Sequence, residues 1–246
     1  MKSGNPFLNQ RRFESAVAEL SAQETMTFNG ALNKTGLLFL ILLLGASWTW
    51  TDVSWAAPAG GMSGKMIIGL VGGLIAALAT AFRPQWAPIS APIYAFLEGM
   101  FLGGLSAFFE ARYPGIVVPA VVLTFGILVG MLVTYRAGLI PVTQKFRIGV
   151  ISATGGVAVF YLLTWVLGMF GIGIPFVHDG GVLGIGFSLV VIGIATLNLV
   201  LDFDLIARLS AAGAPKQMEW YGAFALMVTL VWLYFEILRL LGKTRE

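Results

Sequence analysis

Apolar residues in this chain do not fall into the one-sided stripe of a soluble surface helix; they run on in long blocks. Seven blocks, at about 36–56, 64–82, 88–110, 116–135, 148–170, 181–201 and 220–241, approach or reach the roughly 20 residues a helix needs to cross a hydrocarbon layer. Helix-breaking punctuation separates them: Pro58 with Gly60 and Gly61, Pro84, Pro114-Gly115, Pro141, Pro175 through Gly180, and Gly213-Ala214-Pro215. A helix apolar around its whole circumference is at home in lipid, where the backbone must satisfy its own hydrogen bonds. The pattern therefore predicts an all-α membrane protein, a seven-transmembrane-helix bundle. A polar N-terminal arm, 1–35, precedes the seven-helix domain, 36–246. Its apolar run starts too late for a cleavable secretory signal, so the arm is expected to stay, disordered or lying on the surface.

Finer patterning supports the spans. Trp48, Trp50, Trp55, Trp86, Tyr113, Tyr135, Trp220 and Tyr221 sit near predicted interfaces, where amphipathic rings anchor helices. Small residues recur every fourth position: Gly69, Gly73, Ala77 and Ala81 in the second span, Gly99, Gly103 and Ala107 in the third, Gly180, Gly184 and Ser188 in the sixth. Such ladders predict close helix seams. The final block is the one segment for which a re-entrant turn competes with a full span.

Composition agrees: 58% of residues are hydrophobic and 11% charged, with a mean hydropathy of +0.87, against roughly a quarter charged in soluble domains. Fifteen Lys and Arg residues define the orientation. With the N-terminus inside, ten fall on the inner side, including Lys34, Arg83, Arg136, Arg147 and Arg208, and five outside, three of them in the C-terminal tail. A cell inner membrane with a cytoplasmic N-terminus is the expected location. The net charge of +3 is small and loop-borne, so nucleic-acid binding has no support.

Several chemistries lack their parts. There is no cysteine, and the one histidine, His178, lies in a predicted outer loop, so thiolate, His-metal and triad sites are excluded. No phosphate loop or His-Glu-x-x-His is present. No lysine stands mid-span to anchor a Schiff base. No enzymatic activity and no cofactor are expected.

Acids at membrane depth are costly and are functional candidates by default. Glu98 falls near the middle of the third span. Asp202 and Asp204 close the sixth; two apart on a helix, they point about 200° apart, so one faces the bundle while the other meets water or Arg208. Glu219 opens the last span, where a carboxylate suits a helix N-terminus. Glu236 with Arg239 three residues on reads as a structural ion pair, and Glu110 beside Arg112 reads the same way.

The motifs Thr27-x-x-Gly30-x-x-x-Lys34-Thr35, Pro92-Ile93-Tyr94-Ala95-x-x-Glu98-Gly99-x-x-Leu102-Gly103, Asp202-Phe203-Asp204-x-Ile206, Glu219-Trp220-Tyr221-x-Ala223-Phe224 and Leu233-Tyr234-x-Glu236-Ile237-Leu238-Arg239 occur in that order. Together they resemble the Bax inhibitor-1 family, in a bacterial branch, over nearly the whole chain. The resemblance implies a central C-terminal helix wrapped by six others. It also implies a pH-sensitive calcium leak gated by two aspartates, one ending the sixth span and one within the seventh. Asp202 matches the first. The stretch taken to match the second, Tyr221 to Ala225, holds no acid, which leaves Glu219, Glu98 or Asp204 as substitutes and Arg83 as a basic partner.

These residues lead to an expected cluster of Asp202 with Glu219 or Glu98, and with Arg83, near the inner mouth of a cavity. Asp202 and Glu219 are the candidate calcium ligands, since hard cations take oxygen ligands. Two close carboxylates would share one proton in the closed state. The expected partners are the bilayer and calcium ions or protons. Two other readings compete: a membrane interaction or regulatory protein without transport, and a proton-coupled small-solute transporter with a pocket near Glu98.

Overall fold

The computed structural model describes residues 25–51, 63–171 and 181–245. The expectations for residues 1–24 of the arm, for Trp55, for His178 and for Gly180 lie outside them. Seven helices long and apolar enough to span a membrane follow one another: α1 Phe28–Trp50, α2 Gly64–Phe82, α3 Ala87–Arg112, α4 Val117–Arg136, α5 Gln144–Met169, α6 Val182–Ala211 and α7 Met218–Lys243. A single 3-10 turn, Pro84–Trp86, links α2 to α3.

The helix starts are encoded locally. Thr27, Ser63 and Thr143 cap α1, α2 and α5, each hydroxyl accepting a hydrogen bond from the backbone N–H three residues on. A cap of this kind contributes about 1 kcal/mol. Two boundaries differ from the apolar blocks. α1 begins at Phe28, within the arm expected to be separate, so Lys34 is a helical residue. α6 runs to Ala211, ten residues past the end of its apolar block, so Asp202 and Asp204 stand inside the helix and not at its end. α7 is one continuous helix of 26 residues, about 39 Å at 1.5 Å per residue, long enough for a full crossing.

α7 is central. It packs against α1, α3, α4 and α6, while α2 leans mainly on α3 and α5 mainly on α6. The wrapping is thus by four close neighbours and two outer helices. Burial follows this arrangement: half of the apolar window is buried in the α3 segment and in α7, and 11% in α4 and α5. Leu199, Phe203 and Ile206 of α6 meet Leu226, Leu230, Leu233 and Ile237 of α7 in one core. Tyr94 of α3 meets Ala223, Phe224 and Met227 of α7 in a second.

The small-residue ladder of α3 does what its spacing predicts. A Cβ on Gly99 would strike the carbonyl of Leu42, and one on Gly103 the carbonyl of Ala46, so α1 and α3 touch backbone to backbone. Gly69 meets Leu97 in the same way across the α2–α3 seam. In α6 the ladder serves another purpose. Lys243, buried at the end of α7, donates from Nζ to the Gly184 carbonyl at 3.0 Å and to Ser188 Oγ at 3.1 Å. The positive φ of Gly213 lets the chain reverse between α6 and α7, bringing the Ala214 carbonyl to the Met26 N–H at 2.8 Å.

Candidate ion-pathway site

Six described acids lie in these helices, and their surroundings sort them. Glu219, in the first turn of α7, is 1% exposed. Its Oε1 accepts from the backbone N–H of Thr27 at 2.9 Å and from the Thr27 hydroxyl at 3.1 Å, and its Oε2 pairs with Lys34 of α1. Gly30 lies so close to this carboxylate that a Cβ would overlap it. The Thr27, Gly30 and Lys34 positions therefore form one receptor for Glu219: the cap residue, the gap and the countercharge. Ser210 Oγ donates to the Met26 carbonyl at 3.1 Å and Thr25 bridges Pro215, so the start of α1 is strapped onto the α6–α7 turn.

Asp204 is also compensated. Its Oδ2 accepts from Arg208 Nε, four residues on, and from Arg147 Nη2 of α5, each at 2.9 Å. Glu110 accepts from the backbone N–H groups of Gly115 and Val117 at 2.6 and 3.1 Å and so caps the start of α4. Glu236 stands 3.5 Å from Arg239 Nη1 and accepts from the Tyr161 hydroxyl at 2.9 Å.

Asp202 and Glu98 are different. Asp202 is half-buried, and its Oδ2 accepts a hydrogen bond from the Thr229 hydroxyl of α7 at 2.6 Å. Among the described residues no ion pair reaches it. Glu98, half-buried on α3, lies over Gly73 of α2, where a Cβ would stand 3.0 Å from Oε2. It too has no ion pair among the described residues.

The expected cluster is not assembled. α6 and α7 run antiparallel, so moving up one helix is moving down the other. The level of Glu219 corresponds on α6 to about Ala212, past the helix end, roughly ten residues or 15 Å from Asp202. Glu219 is thus turned to α1 instead. Arg83 is exposed and lies over the Trp86 ring at 5.4 Å, away from any pairing with Asp202. No group of three His, Cys, Asp or Glu side chains suited to a metal occurs among the described residues. The α7 position that meets Asp202 is Thr229, beyond the stretch Tyr221 to Ala225, where Gly222 instead meets Ile206.

Sequence reasoning missed Thr229, Tyr161 and the pairing of Lys34. Thr229 had a signal: it is the one hydroxyl in the apolar run from Ala223 to Leu233. Cavities open in the bundle among the described residues. One, of about 460 Å³, lies among α1, α3, α4 and α7, and one of about 710 Å³ lies between α5 and α7; neither is lined by Glu98 or Asp202.

Fold and site define an all-α, seven-helix membrane bundle with, at two of its helix seams, carboxyls that hold no ion pair among the described residues. A profile of the family described as Bax inhibitor 1 like matches residues 5–246, and the chain belongs to that family. Comparisons with curated proteins and with solved structures find no match.

Proposed function

We propose that this protein is a pH-sensitive cation leak channel of the Bax inhibitor-1 type, passing calcium and gated by Asp202. It would work in a cell inner membrane with its N-terminus cytoplasmic. The observation that carries the reading is the contrast in partners: Glu219 and Glu236 add an ion pair to their hydroxyl partners, whereas Asp202 joins two core helices through a neutral hydroxyl with no ion pair among the described residues. A carboxyl within a membrane helix that lacks a countercharge is expensive when ionised. Protonated, it is a neutral link between α6 and α7. Ionised, it attracts a cation, and its oxygens suit calcium, with Thr229 Oγ1 as a further neutral oxygen. Loss of that proton therefore favours an open, cation-binding seam.

In this reading a single titrating group, Asp202, takes the place of a shared-proton dyad. The pH response should accordingly follow one proton and not two coupled steps. The test is calcium flux into dye-loaded proteoliposomes from about pH 5 to about pH 8, with wild type and Asp202→Asn side by side. Flux that rises with pH in the wild type and is flat in the variant supports the reading. An unchanged pH response in the variant removes Asp202 from the mechanism. Folded protein with no flux above empty liposomes replaces the channel with a membrane interaction protein.

A further inference from the structure

A second chemistry sits at the other end of α7, independent of the Asp202 reading. Tyr161 reaches from α5 to α7, its hydroxyl donating to Glu236 Oε1 at 2.9 Å and accepting from Arg239 Nη1 at 2.7 Å. The Arg239 guanidinium lies over the Phe235 and Tyr161 rings, at 4.7 and 5.0 Å. The 710 Å³ cavity between the two helices is lined by these residues together with Trp165 and Trp232.

Three polar atoms at this cavity hold no hydrogen bond among the described residues. Glu236 is 0% exposed, yet its Oε2 holds no hydrogen bond; Arg239 Nη1, at 3.5 Å, balances its charge without donating to it. Buried carboxylate oxygens without a donor are rare because water has been given up for nothing. Arg239 Nε and Nη2 also hold no hydrogen bond among the described residues. Glu236 lies 18 residues beyond Met218, about 27 Å along the helix, which places the cavity at the far membrane interface, within reach of lipid head groups and solutes.

A complementary ligand must donate N–H to Glu236, present an oxyanion to Arg239, and tolerate aromatic walls beside its cation. A quaternary ammonium has the charge but no N–H. We propose that this cavity binds a zwitterion carrying a primary ammonium and an oxyanion, the chemistry shared by a phosphoethanolamine head group and by free phosphoethanolamine. The ammonium is held by Glu236, the oxyanion by Arg239, and Trp165 and Trp232 form the walls.

The experiment uses the full chain. Native mass spectrometry measures lipid retained from mixed micelles of phosphatidylethanolamine and phosphatidylcholine. Calorimetry with free phosphoethanolamine, on protein in phosphatidylcholine nanodiscs, separates solute from lipid. Retention of the ethanolamine lipid should exceed that of the choline lipid by about tenfold, or the free solute should bind with measurable heat. Glu236→Gln should remove the discrimination, and Arg239→Gln should weaken retention of both lipids. Ile151→Val, on the same helix but outside the cavity lining, should keep the discrimination, and an unshifted thermal midpoint in Glu236→Gln shows that a loss there is not misfolding. Equal retention of the two lipids with no heat from the solute overturns the proposal, as does discrimination that survives Glu236→Gln.

Discussion

Glu219 and Asp202 stand on neighbouring helices of one core, and the bundle treats them in opposite ways. Glu219 is enclosed and fully answered: a lysine, a hydroxyl and a backbone amide converge on it from the start of α1. Among the described residues Asp202 is answered once, by the Thr229 hydroxyl. A buried charge with a countercharge and satisfied oxygens is a clasp, because removing either partner strands the other. A carboxyl with only a neutral partner keeps two accessible states, and that is what a sensor requires. Under the proposed function, partner chemistry, and not depth or burial alone, separates a fastening from a switch.

The contrast is most severely tested by breaking the fastening. Glu219→Gln leaves Lys34 without its countercharge and should destabilise the protein by about 3 kcal/mol, read as a lowered thermal midpoint in detergent. The pH profile of calcium flux should be unmoved in whatever fraction remains folded. A shifted profile would join the two regions into one mechanism and end the distinction. An intermediate effect is expected from Thr229→Asp, which puts a second carboxylate beside Asp202. Full ionisation of the pair then costs more, so the opening transition should move to higher pH and broaden into two steps. An unshifted, single-step profile would show that Thr229 does not face the titrating group in the working protein. The smallest effect belongs to Thr229→Val, which removes one hydrogen bond of roughly 1 kcal/mol. Thermal melting should register that loss while flux at high pH persists.

Part of the site was legible in the chain and part was not, for identifiable reasons. Glu98 and Asp202 could be found because a charge in an apolar run needs no tertiary information to be conspicuous. The positions of Asp202 and Glu219 near one membrane face lead to an expected pairing of the two. It fails because the antiparallel register of α6 and α7 offsets them by about ten residues. Lys34 read as a loop charge since the apolar block starts at Gly36. The helix starts eight residues earlier, because Thr27 supplies the cap and Glu219 accepts what the first turn and Lys34 offer.

The order of apolar blocks by itself determined the seven helices, their membrane setting and the ladders of α2 and α3, because local hydropathy and residue size act without knowledge of distant neighbours. Partnership was decided only by the tertiary structure. Thr27 and Lys34 meet Glu219 across more than 180 residues of chain, and Thr229, not an acid, meets Asp202. Such meetings depend on helix register and rotation, which arise from how whole faces pack against one another. The spacing of residues marks a shared face, as it does for Thr27, Gly30 and Lys34, but not which distant residue that face meets.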